Sequence, residues 1–228
     1  NMARTLFLNK SALEKGYQRP VGAGKTNLKQ VSVNGSGMMG SGIAYASILQ
    51  GLEVLLIDQN IEAAEAGKTK IEMLLSESVK RKKLSEEKKN LLLRKVKTVS
   101  SLEKISSSDL VIEAVFEDLN LKHNLYKKIE PHLKEGAILA SNTSTLPITK
   151  LSEVLADSTR FLGIHFFSPV DKMNLVELIK SERTNDNALA VALDYTSLIK
   201  KTPIVVNDSR GFYANRCIIP VSYTHLTL

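Results

Sequence analysis

Cysteine and tryptophan are nearly absent from this sequence: it has one cysteine, Cys217, and no tryptophan. A single cysteine cannot close a disulfide within the chain or provide the several thiolates of a structural zinc site, so neither a disulfide scaffold nor a metal centre is expected. No apolar run approaches the roughly 18 residues that span a bilayer, and the first residues lead into no signal-type apolar core. We therefore expect a soluble chain without a membrane span.

Acidic residues are fewer than basic ones, 24 against 31, which gives a formal net charge of +7. This excess favours anionic partners in general, including nucleic acid, acidic lipid and phosphorylated small molecules. Much of it lies in residues 80–83, 88–89 and 95–97, where the simplest interpretation is a solvated helix face. The six tyrosines and six phenylalanines are scattered rather than interleaved with a basic stripe, so nucleic-acid binding is only a weaker alternative.

The chain has 228 residues, of which 43% are apolar and 24% charged, as in globular proteins. From residue 29 onward, short β-branched runs alternate with segments of helical period, which is typical of parallel βαβ units. We predict an α/β fold of the Rossmann type, with a doubly wound, mostly parallel sheet. The predicted strands are 30–34, 53–58, 95–99, 110–114, 137–141, 161–166, 175–179 and 204–206. The predicted helices are 38–50, 61–82, 85–94, 120–133 and 187–200.

The two ends of the chain are expected to belong to neighbouring domains. Residues 1–28 predict the end of a helix followed by a linker rich in glycine and proline, left from a preceding domain. Residues 29–207 would form the Rossmann-type domain, and residues 208–228 the start of a truncated helical domain. Residues 221–228 show no period that continues this last helix, and we set them aside as a doubtful, vector-like end.

A glycine-rich motif, G-x-G-x-x-G, directly follows the first predicted strand and opens a helix. In a Rossmann fold, Gly35 makes the tight turn, Gly37 lets a pyrophosphate approach the backbone, and Gly40 permits close helix–strand packing. Asp58 ends the second strand 18 residues after Gly40, where a carboxylate accepts hydrogen bonds from ribose hydroxyls and repels a 2′-phosphate. NAD is therefore preferred over NADP; FAD and an ordinary glycine turn are weaker alternatives. The expected cofactor-binding residues here are Gly35, Gly37, Met38, Met39, Gly40 and Asp58.

Of the four histidines, His165 is the candidate for acid–base chemistry. It lies at the carboxyl end of a predicted strand, where open α/β sheets bind their ligands. His123 and His132 are predicted to face solvent on a helix, and His225 belongs to the doubtful end. The sequence alone leaves two interpretations of His165 open, a catalytic base and a hydrogen-bonded core histidine.

Glu177 is an acid inside an apolar strand, and buried acids need partners. A His165–Glu177 pair would fix the imidazole tautomer and stabilise an imidazolium, although Glu177 could also face water on an edge strand. Residues 141–145 follow another strand and offer hydroxyl groups to a substrate, but ordinary turns are rich in the same residues.

Five motifs occur together in one order, and with them the sequence resembles the NAD-binding domain of L-3-hydroxyacyl-CoA dehydrogenases over roughly residues 29–220. The motifs are GSGMMGSGIA from Gly35, DLVIEAVFE from Asp109, SNTS from Ser141, HFFSPV from His165 and GFYANR from Gly211. Within that family, the stretch at His165 is most similar to the α subunit of multifunctional fatty-acid oxidation complexes, in which a hydratase domain precedes this one.

The resemblance implies NAD-dependent, reversible oxidation of an (S)-3-hydroxyacyl-CoA to the 3-ketoacyl-CoA. It implies that His165 is the catalytic base, that Glu177 orients it, and that Ser144 and Asn215 contact the reacting hydroxyl or the thioester. The remaining alternatives are an NAD-binding module without turnover and a dehydrogenase of a free hydroxy acid.

The resemblance also implies that Glu117 and Lys122 lie near the cofactor. Ser168 is a departure, because many relatives have asparagine there. The basic segment 80–89 is a further candidate, for the phosphates of CoA. The expected partners are an acyl-CoA substrate and either a second copy of the chain or a thiolase subunit, in the bacterial cytoplasm or, less favoured, the mitochondrial matrix.

Overall fold

A computed structural model describes residues 8–24 and 26–226 of the chain. Its centre is an eight-stranded sheet with the order β3-β2-β1-β4-β5-β6-β7-β8, in which only the β6–β7 pair is antiparallel. The strands are β1 (Gln30–Asn34), β2 (Glu53–Ile57), β3 (Val96–Val99), β4 (Leu110–Glu113), β5 (Ile138–Ser141), β6 (Phe161–Phe166), β7 (Leu175–Lys180) and β8 (Thr202–Asn207). The predicted doubly wound, mostly parallel sheet is confirmed.

Helices connect the strands and cover both faces of the sheet. They are α1 (Lys10–Glu14), α2 (Met38–Leu49), α3 (Ile61–Lys80), α4 (Glu86–Leu93), α5 (Leu119–Ile129), α6 (Ile148–Ser152), α7 (Asp186–Leu198) and α8 (Ala214–Leu226). Side-chain caps define several starts: Asn60, Ser85, Asp118 and Asn185 each accept a hydrogen bond from the backbone N–H three residues later. Short 3-10 helices at Leu102–Ser107, Glu130–His132 and Ser158–Arg160 complete the connections.

The core has two layers because the strands are buried on both faces. Along β2, Val54 and Leu56 join the layer under α2 and α3, while Leu55 and Ile57 join the layer under α5. Successive side chains of a strand point to opposite faces, so a continuous apolar run is what a central parallel strand requires.

The strand order reverses at β1, which lies between β2 and β4. The connection after β1 leads to β2 on one side and the connection after β4 leads to β5 on the other, so a crevice opens outside the carboxyl ends of β1 and β4. Asn34, Ile57 and Glu113 lie side by side at this level of the sheet.

Two predicted helix ends are corrected by the structure. The helix predicted for 120–133 ends at Ile129 and tightens into a 3-10 turn, since Pro131 lacks the N–H that an α-helix would use. The expectation that residues 221–228 do not continue the last helix is wrong as far as Leu226, where α8 ends. Residues 221–224 are exposed, and helical periodicity reveals only helices that bury one face.

The predicted N-terminal helix is described only from residue 8 onward. α1 and the following linker pack against β8 and α7 rather than leaving the domain. Arg19 holds Asp194 through two hydrogen bonds of 2.9 and 3.0 Å, and the Gln18 side chain accepts a hydrogen bond from the backbone N–H of Val205 on β8. Among the helices that the structure describes, none is long and apolar enough to cross a membrane.

Candidate active site

In the glycine loop between β1 and α2, two glycines occupy positions that no other residue fits. Gly35 has φ +100°, and a Cβ on it would lie 2.5 Å from the carbonyl oxygen of Ala114. A Cβ on Gly40 would lie 1.7 Å from the carbonyl oxygen of Gly35. The first and third glycines thus let the helix and two strands approach one another closely.

Gly37 differs, because a Cβ there would meet no atom within 4 Å. It precedes Met38 at the start of α2, and no side chain caps this helix end. The backbone N–H groups of the first turn therefore have the open space and the positive helix end that an anionic group requires. Met38 is exposed beside this space and Met39 is half-buried.

Asp58 follows β2 and faces the same loop. Its carboxylate accepts hydrogen bonds from the backbone N–H and hydroxyl of Ser36, at 2.7 and 2.6 Å, and from the Gln59 N–H at 2.8 Å. Partial burial alone would raise the pKa of Asp58, but these hydrogen bonds and the nearby Lys70 charge lower it. Asp58 is thus an anion at the position expected for a ribose-binding carboxylate.

A cleft of about 680 Å³ extends from Asp58 and the glycine loop. Its walls combine polar groups from the strand ends with apolar side chains able to hold a flat ring. The apolar residues are Ile57, Leu102, Ala114, Val115, Phe116, Leu121 and Leu125. With the open N–H groups at Gly37 and the anionic Asp58, these features fit the pyrophosphate, ribose and adenine of a dinucleotide.

His165 and Glu177 are directly paired. The antiparallel register of β6 and β7 places them opposite each other, and His165 Nδ1 lies 2.7 Å from Glu177 Oε2. β7 is flanked by β6 and β8, and Glu177 is fully buried, so the alternative of a solvent-facing acid on an edge strand is wrong.

The second oxygen of Glu177 accepts hydrogen bonds from the backbone N–H groups of Tyr213 and Ala214, at 3.0 and 2.8 Å, where α8 begins. Burial alone would raise the pKa of Glu177, but the hydrogen bonds from His165 and this helix start hold it below its ordinary value. The Phe167 ring packs on His165 at a centroid distance of 4.5 Å. The imidazole is therefore fixed from its Nδ1 side.

Ser144 and Asn215 come from distant parts of the chain and meet at the same end of the sheet. The Asn215 side-chain amide donates a 2.8 Å hydrogen bond to the carbonyl oxygen of Ser144. Nearby, Asn142 accepts a 2.9 Å hydrogen bond from the Phe166 N–H, which ties the loop after β5 to the end of β6 beside His165. The predicted substrate-side residues therefore share one region with the His165–Glu177 pair.

Glu117 holds the loop that carries Ser144. One of its carboxylate oxygens accepts hydrogen bonds from the Thr143 hydroxyl at 2.5 Å and from the Ser144 and Thr145 N–H groups at 2.9 and 3.1 Å. Lys122 contacts the other oxygen at 3.0 Å. Although burial alone would raise the pKa of Glu117, these contacts lower it.

Glu113 is a site residue that the sequence analysis missed. It is fully buried at the end of β4, and its carboxylate accepts hydrogen bonds from Lys122 Nζ at 2.7 Å, Tyr126 at 2.6 Å and Ser141 at 2.8 Å. Lys122, only 1% exposed, thus bridges Glu113 and Glu117. The signal that identified Glu177, an acid inside an apolar strand, is equally present at Glu113.

The loop after His165 approaches the nucleotide side of the site. The Ser168 hydroxyl lies 3.8 Å from the Met38 sulfur, and Val170 packs against Gly42 of α2. Lys201 Nζ holds this loop through hydrogen bonds of 2.6 and 2.7 Å to the carbonyl oxygens of Val170 and Met173. The candidate base and the glycine loop are thus joined through one packed segment.

Other predicted residues lie elsewhere. His123 and His132 are half-buried rather than fully solvent-facing, and a ring nitrogen of His123 lies 2.9 Å from the Lys150 carbonyl oxygen. The basic segment 80–89 covers the turn between α3 and α4 and the first half of α4, where Lys89 pairs with Glu72 and Glu86. Its contact with CoA remains a prediction. In the part of the chain that the structure describes, no three histidine, cysteine or acidic side chains are grouped to hold a metal ion.

Comparisons with known proteins agree with this geometry. The family profile described as "3-hydroxyacyl-CoA dehydrogenase, NAD binding domain" matches residues 30–209. A fatty acid oxidation complex subunit alpha from Psychrobacter is 38% identical over 215 residues, which are 94% of this chain and 30% of that protein. The chain thus spans about 30% of the length of the curated relatives it matches.

Two solved structures extend the comparison. An (S)-3-hydroxybutyryl-CoA dehydrogenase from Ralstonia eutropha is 37% identical with a TM-score of 0.83, over 86% of this chain and 69% of that one. FadB2 from M. tuberculosis is 31% identical with a TM-score of 0.85, over 89% and 72%. The resemblance and NAD as cofactor, both predicted from the sequence, are confirmed.

Proposed function

Because the chain belongs to the 3-hydroxyacyl-CoA dehydrogenase family through its NAD-binding domain, we propose that it acts in the reversible oxidation of an (S)-3-hydroxyacyl-CoA to the 3-ketoacyl-CoA. The observation that carries this proposal is the buried His165–Glu177 pair, which lies in the same sheet as the strands that line a dinucleotide cleft. A base and a cofactor site at one edge of a sheet are the two requirements for removing a proton and a hydride from an alcohol.

Bound NAD supplies the hydride acceptor. The chain's contribution on that side is binding: the N–H groups after Gly37 would hold the pyrophosphate, and Asp58 would accept hydrogen bonds from the ribose hydroxyls. The carboxylate at Asp58 also repels a 2′-phosphate, which favours NAD over NADP. Glu117 accepts a hydrogen bond from the Ser144 N–H and contacts Lys122, and through this loop both residues would support the reacting end of the cofactor.

His165 Nε2 is the atom that exchanges the proton with the substrate, because His165 Nδ1 is hydrogen-bonded to Glu177. With the Nδ1 proton held by the carboxylate, Nε2 presents a lone pair that accepts the proton of the substrate hydroxyl. The positive charge that develops on the imidazole is stabilised by Glu177, which the start of α8 keeps ionised. In the reverse direction the Nε2 proton returns to the carbonyl oxygen of the ketone.

Ser144 and Asn215 would orient the reacting oxygen and the thioester, since both lie at the end of the sheet that carries His165. The hydroxyl of Ser144 and the amide of Asn215 are suitable partners for an oxygen that changes between alcohol and ketone. The acyl-CoA substrate, assembly with a thiolase subunit or a second copy, and a cytoplasmic location are part of this proposal and follow the similarity to the α subunit of fatty acid oxidation complexes.

The test begins with NAD affinity measured by calorimetry and continues with oxidation of NADH in the presence of acetoacetyl-CoA. We expect binding and turnover by the chain, and a His165→Ala variant that binds NAD equally but has lost turnover. His123→Ala, a histidine away from the cleft, is the matched control and should retain both. NAD binding without any turnover would favour a binding module, and turnover with free acetoacetate would favour a dehydrogenase of free hydroxy acids.

A further inference from the structure

Asn34 is a buried polar residue with no hydrogen-bond partner for its side chain. It is the last residue of β1, directly before Gly35, and is 2% exposed. Within the described residues, neither its amide nitrogen nor its amide oxygen is paired, and no other buried side chain there shares this condition.

The residues beside Asn34 on the two neighbouring strands give its side chain no hydrogen bond. In the parallel register it lies between Ile57 of β2 and Glu113 of β4, whose side chains point to the same face of the sheet. Ile57 is apolar. The carboxylate of Glu113 is already engaged by Lys122 and three further donors, namely Tyr126, Ser141 and the Val115 N–H.

Asn34 borders the dinucleotide cleft, which it lines together with Gly35. Unpaired polar groups in a protein interior are rare and costly, and an aliphatic side chain at this position would avoid that cost. A buried, unpaired amide in a residue that borders a ligand cleft is explained when the ligand supplies its hydrogen-bond partner.

The cleft beside Asn34 is the adenosine half of the site. Its lining comes from the ends of β1, β2 and β4 and from α5, and it includes Asp58, the candidate ribose ligand. His165 lies two strands beyond β4, on β6. A group that reaches Asn34 is therefore on the opposite side of the pyrophosphate from the reacting end.

We propose that Asn34 is a further NAD-binding residue, whose side-chain amide hydrogen-bonds the adenosine half of the dinucleotide at the floor of the cleft. This inference rests on the NAD site of the proposed function. The Asn34 amide thus contributes to cofactor affinity and takes no part in proton transfer.

The test replaces Asn34 with valine, which removes both polar atoms and approximates the remaining volume. Affinities for NAD and for ADP-ribose are measured by calorimetry, and the melting temperature is measured without ligand. We expect both affinities to fall by about 5- to 150-fold, the range for a buried hydrogen-bonding group left unpaired in a complex. The melting temperature should stay equal or rise, because the free protein loses an unpaired polar group.

Ser32→Val is the matched control on the same strand and face. The Ser32 hydroxyl is already paired with Ser108 at 2.6 Å, and it does not line the cleft. This variant should lower the melting temperature while leaving NAD affinity unchanged. Opposite responses of stability and affinity in the two variants separate a ligand contact from general damage to β1.

An Asn34→Val protein that binds NAD and ADP-ribose as tightly as the parent chain would overturn the inference and leave the amide completed by water alone. The proposed function would survive that result, because the parent chain still binds NAD. If the parent chain itself bound no NAD, the inference about Asn34 and the proposed function would both be wrong. Should Asn34→Val not fold, Asn34→Ala provides the same comparison and the same criterion.

Discussion

Asn215 and Ser144 are 71 residues apart in the chain, and the side-chain amide of one donates a 2.8 Å hydrogen bond to the backbone carbonyl of the other. This bond joins the first turn of α8 to the loop after β5. The start of α8 and the residue before it, Ala214 and Tyr213, supply the two backbone N–H groups that hold Glu177. Residues expected to contact the substrate are thus positioned by the elements that position the base.

The second and third glycines of the nucleotide loop should respond differently to substitution. Gly37→Ala should fold with an unchanged melting temperature but bind NAD at least about tenfold more weakly, because its methyl group enters open space meant for the pyrophosphate. Gly40→Ala should lose stability as well, since its Cβ would fall on the Gly35 carbonyl oxygen. Thermal melts and NAD calorimetry on both variants check this; equal melting temperatures would contradict the packing argument.

Glu177→Gln should reduce turnover by about a hundredfold or more while leaving NAD affinity within a factor of about two. The amide can still contact His165 Nδ1, but it no longer stabilises the imidazolium or fixes the tautomer. Steady-state NADH oxidation and calorimetry on the same preparation separate the two quantities. Unchanged turnover would remove Glu177 from the proposed mechanism.

Stability should fall in acid partly through Glu177. Its pKa is lower in the folded protein than its ordinary value of about 4.5, so its contribution is complete above that pH and is lost as the pH falls through the lower folded value. The melting temperature of Glu177→Gln should therefore approach that of the parent chain as the pH drops from 7 to about 3. Glu135→Gln, at an exposed turn, is the control and should follow the parent chain at every pH.

Removing Glu113 alone should destabilise the fold by about 3 kcal/mol, because Lys122 stays buried with only Glu117 as a partner. Replacing both residues, as Glu113→Gln with Lys122→Met, should cost less than the sum of the single changes. Urea unfolding of the parent chain, the two single variants and the double variant gives the free energies of unfolding, and from them the interaction energy between Glu113 and Lys122. Strictly additive losses would show that the two side chains act independently.

The nucleotide side of the fold could be predicted from sequence because its signals are local. The glycine loop, the strand before it and Asp58 lie within about 30 residues and follow one spacing rule. The helix starts at Asn60 and Ser85 likewise depend on the next three residues.

The remainder of the site depends on contacts that no local pattern contains. Lys122 stands among charged residues on a helix that looks solvated, and only the position of Glu113 on β4 explains its burial. The His165–Glu177 distance follows from the antiparallel reversal of β7, which the apolar run of that strand does not reveal. The sequence does not reveal that the side chain of Asn34 is buried without a hydrogen-bond partner, because this depends on its neighbours in the folded sheet.

The linker at Gln18 and Arg19 has a consequence for self-association. β8 is the last strand of the sheet, and its outer edge would otherwise present unpaired backbone groups to any other extended chain. Gln18 accepts the Val205 N–H of this strand, while the Arg19–Asp194 pair fixes the linker to α7 beside it. A chain that started at residue 29 would keep the whole nucleotide loop but would expose the outer edge of β8. Two copies of such a chain would then be prone to associate through backbone hydrogen bonds between their β8 strands.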